Sequence, residues 1–270
     1  MELILEDQIT IFLDFLGFRR ASVQLDEQLQ YKLLVLLRAI SLMRGEFKNE
    51  SDPPGPSMSA IRLRPTISTF SDHIVASYPV NRIDLGQDAS TTVDLILFDA
   101  TLRIARIAAA ALRCGFLIRG AISIGPLYHS EGVVFGSAMV EAYELESRTA
   151  VYPRVVVSPS LSKRIGNYGE ASIMIRQDHD GLACINYIDH LLGSSAPPGV
   201  SHQVGIRSWY EEVVAVLQQN VVKLLSQGEA NAASKWVWFS KKFAQALRST
   251  NPDLLTSWGA DPELMFWADK

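Results

Sequence analysis

A chain of 270 residues with 48% apolar and 20% charged side chains can bury a substantial core, which excludes the disordered and fibrous classes. The formal net charge of −4 excludes a generally basic, nucleic-acid-coating surface but leaves room for a small anionic ligand in a local basic pocket. Cys114 and Cys184, each inside an apolar stretch, are neither a disulfide framework nor a metal knuckle and fit a reducing cytoplasm.

The opening MELILED carries acids where a signal peptide needs bases. No apolar run reaches the roughly 18 to 20 residues of a spanning helix. The expectation is a cytoplasmic protein with no membrane or nucleic-acid partner. Residues 8–14 (QITIFLD) read as a buried strand ending at Phe15, Leu16, Gly17 and Phe18, a tight glycine turn. A helix is predicted over residues 26–43, where Leu29, Leu33, Leu34, Leu36, Leu37, Ile40 and Leu42 recur at helical spacing, and residues 46–56 (EFKNESDPPGP) read as an exposed loop. Two β-rich runs, 61–70 and 74–78, meet at Ser71, Asp72 and His73, too short for anything but a hairpin turn, so Asp72 falls at a strand end. A helix over 91–114, a strand over 116–124, a further strand at 133–135, a helix over 137–147 and a strand over 154–158 follow.

The order β-α-β-β-α-β predicts an α/β (α+β) domain of the ferredoxin-like split arrangement, in which the first strand and the hairpin share one antiparallel sheet. Asp14 and Asp72 then become neighbours. Residues 171–188 suggest two more strands, residues 193–199 (GSSAPPG) a linker, and 209–225 and 232–247 two helices. The predicted organisation is a domain over 1–192 and a helical extension over 200–270.

Two carboxylates at the ends of adjacent strands, one beside a glycine turn, suit a divalent cation with a polyphosphate. An isolated Asp at a strand end is more often a turn former or helix cap, so the pair alone carries little.

Read together, the segments resemble the class III nucleotide cyclases in order and spacing across residues 8–158. IFLDFLGF (11–18) resembles the family's first metal-binding strand and turn, and TFSDHIVAS (69–77) its hairpin with the second metal aspartate. LIRGAISIG (117–125) resembles the strand whose arginine grips the triphosphate; VVFGSAMVEAYELES (133–147) resembles the base pocket and catalytic helix, and PRVVVS (153–158) the strand after it. The resemblance implies that Asp14, Phe15 and Asp72 hold two Mn²⁺ or Mg²⁺ ions and that the backbone of Phe15, Leu16, Gly17 and Phe18 cradles phosphates. Arg119 would pair with the β- or γ-phosphate, a task for which a guanidinium fork is suited. The implied reaction is attack of the ribose 3′-OH on the α-phosphorus with loss of pyrophosphate, resting on positioning and electrostatics. The family's metal strands and catalytic helix face one another across a head-to-tail pair, so the resemblance also implies a homodimer.

Two departures refine that reading. Purine cyclases of this family read adenine with a lysine and an aspartate at places held here by Ser68 and Val133; a site lacking a base's partners discriminates against it. The short domain, DHDGLACINYID (178–189) and KWVWFSKKF (235–243) resemble the Pycsar antiphage cyclases, which make cyclic UMP or cyclic CMP to activate a separate downstream effector. UTP is the expected substrate ahead of CTP, with Thr66, Ser68, Thr69 and Val133 at the base, since hydroxyls both donate and accept. The family's asparagine and transition-state arginine are replaced by Val140 and Glu144. Either other basic residues, with Arg148 and Arg154 as candidates, supply the charge, or the domain is a catalytically inactive nucleotide-binding regulatory and dimerisation module. A two-metal phosphohydrolase is a third reading, separable by its products.

Blander readings are preferred elsewhere. Asp178, His179 and Asp180 read as a hairpin loop rather than a phosphohydrolase motif. His73 reads as a plain imidazole, because adjacent strand residues point to opposite faces. Trp236, Trp238, Phe239 and Phe243 read as packing rather than a base-stacking platform, and Lys241 and Lys242 as a solvated face.

Overall fold

The computed structural model describes residues 5–23, 27–45, 63, 65–82, 89–165, 174–191 and 202–250. The predicted loop at 46–56, the linker at 193–199 and the expected boundary between 192 and 200 lie outside these residues. In chain order the described elements are β1 (Glu6–Leu16), α1 (Phe18–Val23), α2 (Glu27–Gly45), β2 (Thr66–Phe70), β3 (His73–Pro79), a 3₁₀ turn (Val80–Arg82) and α3 (Ala89–Arg113). Then come β4 (Leu117–Ser130), β5 (Val133–Phe135), α4 (Ser137–Arg148), β6 (Val155–Val157), α5 (Pro159–Ser162), β7 (Ile175–Gln177), β8 (Ala183–Ile185), α6 (Tyr187–Leu191), α7 (His202–Ser226) and α8 (Ala230–Thr250).

The chain forms two compact units. The first comprises residues 1–101 and 118–185, the second residues 102–117 and 186–270. α3 therefore contributes its first half to one unit and its second half to the other.

The first unit is built on an eight-stranded mixed sheet of order β2-β3-β1-β4-β6-β8-β7, with β5 paired to β4. The first four strands of that order are the ferredoxin-like arrangement expected from the sequence. β1 sits centrally and is buried on both faces, which explains why it reads as a nearly continuous apolar run rather than an alternation. Its register against β3 pairs Ile9 with Tyr78, Ile11 with Ala76 and Leu13 with Ile74 on one face, all six buried. Withdrawing each large apolar side chain of that set from water contributes about 1.5–3 kcal/mol. Thr10, Phe12 and Asp14 point to the other face. There Phe12 and Val75 pack with Ala142 of α4.

α4 is fixed to this face by side-chain ties to its backbone and flank. The Ser123 hydroxyl donates to the Ala138 carbonyl at 2.6 Å, and Ser160 to Glu141 at 2.7 Å. Gly136 precedes the helix at φ 142, and a Cβ there would collide with the Pro126 carbonyl oxygen, so only glycine permits this entry. Of the seven apolar positions that marked α2 in the sequence, Leu33, Leu36 and Ile40 form a buried stripe while Leu34 is exposed.

The second unit is helical. Trp209 and Tyr210 of α7 pack against Phe243 of α8, with ring centroids 6.0 Å apart in both pairs, and Phe239 stacks beside Phe243 at 6.4 Å. These aromatic rings are buried packing residues, as their helical spacing suggests. Lys242 lies over the Trp238 ring. No described helix is long and apolar enough to cross a membrane. Cys114 and Cys184 are free thiols, both buried.

Candidate active site

At one end of the sheet face covered by α4, register places Asp14 directly opposite His73. The hairpin joining β2 to β3 turns through Ser71, at φ 53, and Asp72. Asp72 is thus a turn residue, its carbonyl accepting from the Phe15 N–H at 3.2 Å. This bond ties the hairpin to the end of β1. The result is a cluster in which ligand atoms of Asp14, Asp72 and His73 all lie within 4.8 Å of one another. His73 Nδ1 is 3.2 Å from Asp72 Oδ1, and His73 Nε2 is 3.8 Å from Asp14 Oδ1.

The structure sets His73, read from the sequence as a plain imidazole, on the same face as Asp14. Opposite-face alternation applies only if both neighbours are in the strand, and Asp72 is not. The Phe12 ring lies 5.0 Å from the imidazole and confines it.

Arg119 reaches the cluster from β4. Its Nε donates to Asp14 Oδ2 at 2.9 Å and lies 2.5 Å from Glu146 Oε1 of α4. The second contact is an ion pair without hydrogen-bond alignment, so the buried Glu146 oxygen has a counter-charge but no donor. Burial pushes the Glu146 carboxyl up, opposed by the positive charge of Arg119. A deeply buried acid beside two others is a local excess of negative charge facing one guanidinium. The donor set, two carboxylates with an imidazole, fits a divalent cation, and the carboxylate oxygens suit Mn²⁺ or Mg²⁺.

The glycine turn beside the cluster has Gly17 at φ 96, in the left-handed region, where the chain leaves β1 and enters α1. Of the backbone expected to cradle phosphates, the Phe15 N–H is already engaged by Asp72. Leu16, Gly17 and Phe18 border the turn.

Farther along the same face, three strands meet at one imidazole. His129 of β4 bonds the Ser68 hydroxyl of β2 through Nε2 and the Ser77 hydroxyl of β3 through Nδ1, each at 2.8 Å. His129 is buried, and burial lowers its pKa to about 4, so the ring is neutral at pH 7. Thr66 shares the face of Ser68, whereas Thr69 points to the opposite face, which parts it from the other two hydroxyls. Val133 is half exposed and lies on the side of β5 away from His129, alongside Phe135.

The basic residues expected to replace the missing transition-state arginine are engaged elsewhere. Arg154 is buried and donates to Asp178 at 2.8 Å and to Asp180 at 2.6 Å and 3.0 Å, clamping the turn between β7 and β8. Its hydrogen bond holds the Asp180 carboxyl below the usual range. Asp178, His179 and Asp180 are therefore a structural hairpin. Arg148 is exposed and pairs with Glu144 at 3.3 Å along α4. Val140 of α4 is exposed at 57%.

No family model matches the chain, and no curated protein does. Among solved structures it is similar to the adenylyl cyclase CyaB from P. aeruginosa, with 16% identity over 68% of this chain and 94% of that one and a TM-score of 0.35. It is also similar to a bacterial light-regulated adenylyl cyclase, with 15% identity over 79% of this chain and 59% of that one and a TM-score of 0.37. The chain thus spans about three fifths of that light-regulated protein.

Proposed function

We propose that this protein is a divalent-metal-dependent nucleotide cyclase that converts UTP to 3′,5′-cyclic UMP and pyrophosphate, CTP being the lesser substrate. The observation that carries the reading is the convergence of Asp14, Asp72 and His73 beside a glycine turn, with Arg119 set against Asp14. Asp14 and Asp72, with the Phe15 backbone alongside, would hold two divalent ions. Ions held there would supply Lewis-acid chemistry, lowering the pKa of the attacking hydroxyl and offsetting charge on the phosphates. Arg119, which bonds Asp14 at 2.9 Å, would be the residue that binds the triphosphate. The 3′-oxygen forms a bond to the α-phosphorus, the bond from that phosphorus to the bridging oxygen breaks, and pyrophosphate leaves; the hydroxyl proton passes to solvent. The chain's own contribution is alignment and fixed charge.

The base reading rests on Ser68 and Val133, neutral residues where purine cyclases of the resembled family carry charged readers. Residues 1–192 would form the cyclase domain and residues 200–270 its helical extension, the active unit being a homodimer. Exposed Val133, Phe135, Val140 and Tyr143 on β5 and α4 support a surface that meets a second copy. Following the antiphage resemblance, the cyclic nucleotide would act as a messenger for a separate effector in antiviral defence.

Incubation of the full chain with ATP, GTP, CTP and UTP in Mn²⁺, with products read by mass spectrometry, tests the proposal. Cyclic UMP is expected from the native chain and none from Asp72→Ala. A second reading, a nucleotide-binding module without turnover, is favoured by Val140 and Glu144 and by the engagement of Arg154 with Asp178 and Asp180. Mn²⁺ binding without any cyclic product would select it.

A further inference from the structure

We infer that His129 is a positioning residue that turns the Ser68 O–H outward, so that the base pocket favours the 4-carbonyl of uracil over the 4-amino group of cytosine. The identity of the ligand rests on the cyclase reading above; the hydrogen-bond sense of the relay does not.

The three groups come from β2, β3 and β4, 61 and 52 residues apart, and converge on one face of the sheet. Buried polar side chains within a sheet core cost stability unless their bonds are complete, so a relay of this kind has one preferred pattern of protons. A neutral imidazole carries a single N–H; one of its nitrogens donates and the other accepts. Burial holds His129 neutral far below pH 7.

The Ser77 end decides which nitrogen carries the proton. Ser77 is fully buried, and among the described residues its hydroxyl has one side-chain partner, His129 Nδ1. Two further hydroxyls stand opposite Ser77 in register, and neither bonds it: Thr10 of β1 is buried and makes no hydrogen bond, and Thr66 of β2 is exposed. If Nδ1 carried the proton, the Ser77 O–H would be left inside the protein with no acceptor, at the full desolvation penalty of that group. Ser77 therefore donates to Nδ1. The ring proton then lies on Nε2 and is donated to Ser68 Oγ. With its oxygen accepting from the ring, Ser68 has its own O–H free to point outward.

Ser68 is partly exposed, unlike the two groups behind it. With one lone pair taken by the ring N–H, the Ser68 hydroxyl offers its O–H and a single remaining lone pair outward, which suits a carbonyl oxygen better than an amino group. Uracil presents a 4-carbonyl and cytosine a 4-amino group, so the relay separates two pyrimidines of the same shape. It also explains why a residue as plain as serine can specify a base: its polarity is set by residues that never touch the nucleotide.

Two measurements test the inference. In the full-length chain with ¹⁵N-labelled histidine, long-range ¹H–¹⁵N correlation should show His129 as the Nε2–H tautomer; the Nδ1–H tautomer would overturn the inference whatever the enzyme does. The ratio of kcat/KM for UTP over CTP should then fall roughly tenfold in Ser68→Ala and in Ser77→Ala, with Ser77→Thr, which keeps the hydroxyl, restoring it. An unchanged ratio in Ser68→Ala sinks the specificity role. If the native chain makes no cyclic product, the cyclase reading fails separately, and the same ratio is read from calorimetric binding of Mn·UTP and Mn·CTP.

Discussion

At the scale of single residues, three placements set the chemistry of the candidate site: His73 beside Asp14 and Asp72, Arg119 between Asp14 and Glu146, and His129 between Ser68 and Ser77. Asp14 and Asp72 were legible because a strand end and a hairpin turn bracket them in a recognisable order. His73 was not, since strand alternation fixes no face between Asp72 in the turn and His73 at the start of β3. Glu146 and His129 gave no signal at all, because their partners lie 27 to 61 residues away and an ordinary Glu on a helix or His in a strand looks the same. His129 carries a pH prediction. Its pKa is near 6.5 in the unfolded chain and about 4 in the fold. Between those values the unfolded chain binds more protons, so stability falls as pH drops through this window, at most by about 1.4 kcal/mol per unit. Urea midpoints measured from pH 7 to pH 4 should show this slope in the native chain and a flatter one in His129→Gln.

At the scale of elements, strands and helices were largely legible, and their ends were not. β4 continues six residues past the predicted end at 124, to Ser130, and that extension is what carries His129 to β2 and β3. β6 spans Val155–Val157, one residue short of the prediction at each end, although the Arg154 carbonyl and the Ser158 N–H still bond β4, and the Arg154 side chain holds Asp178 and Asp180. A spacing of 24 and 26 residues across a turn conceals such a clamp. Arg154→Ala leaves the Asp178 carboxylate buried without its counter-charge, which should cost about 3 kcal/mol. Hydrogen exchange should speed up over β7 and β8 first, while β1 and β3 keep their protection. Retained protection in β7 and β8 would mean that strand pairing, and not the ion pairs, holds the hairpin.

At the scale of the whole molecule, the sheet order is the decisive feature, for it puts β1, the β2–β3 hairpin and β4 side by side and so assembles carboxylates, imidazoles and a guanidinium on one face. Self-association belongs to this scale as well. Val140 and Tyr143 are exposed on α4, and a second copy would bury them. Val140→Asp should shift sedimentation from dimer to monomer and reduce cyclic product in parallel; a dimer that survives the charge places the contact elsewhere.

Periodicity and turn chemistry, which act over a few residues, determined by themselves the mixed α/β class, the element order and the hairpin at Asp72, and the neighbourhood of Asp14 and Asp72 followed only from the split β-α-β-β-α-β arrangement. The tertiary structure alone decided that Glu146 and Arg119 share a charge, that Arg154 is a clamp and that His129 joins three strands. Those facts depend on which distant segments pack together, and hydrogen bonds and ion pairs of that kind form only when burial removes water as the competing partner.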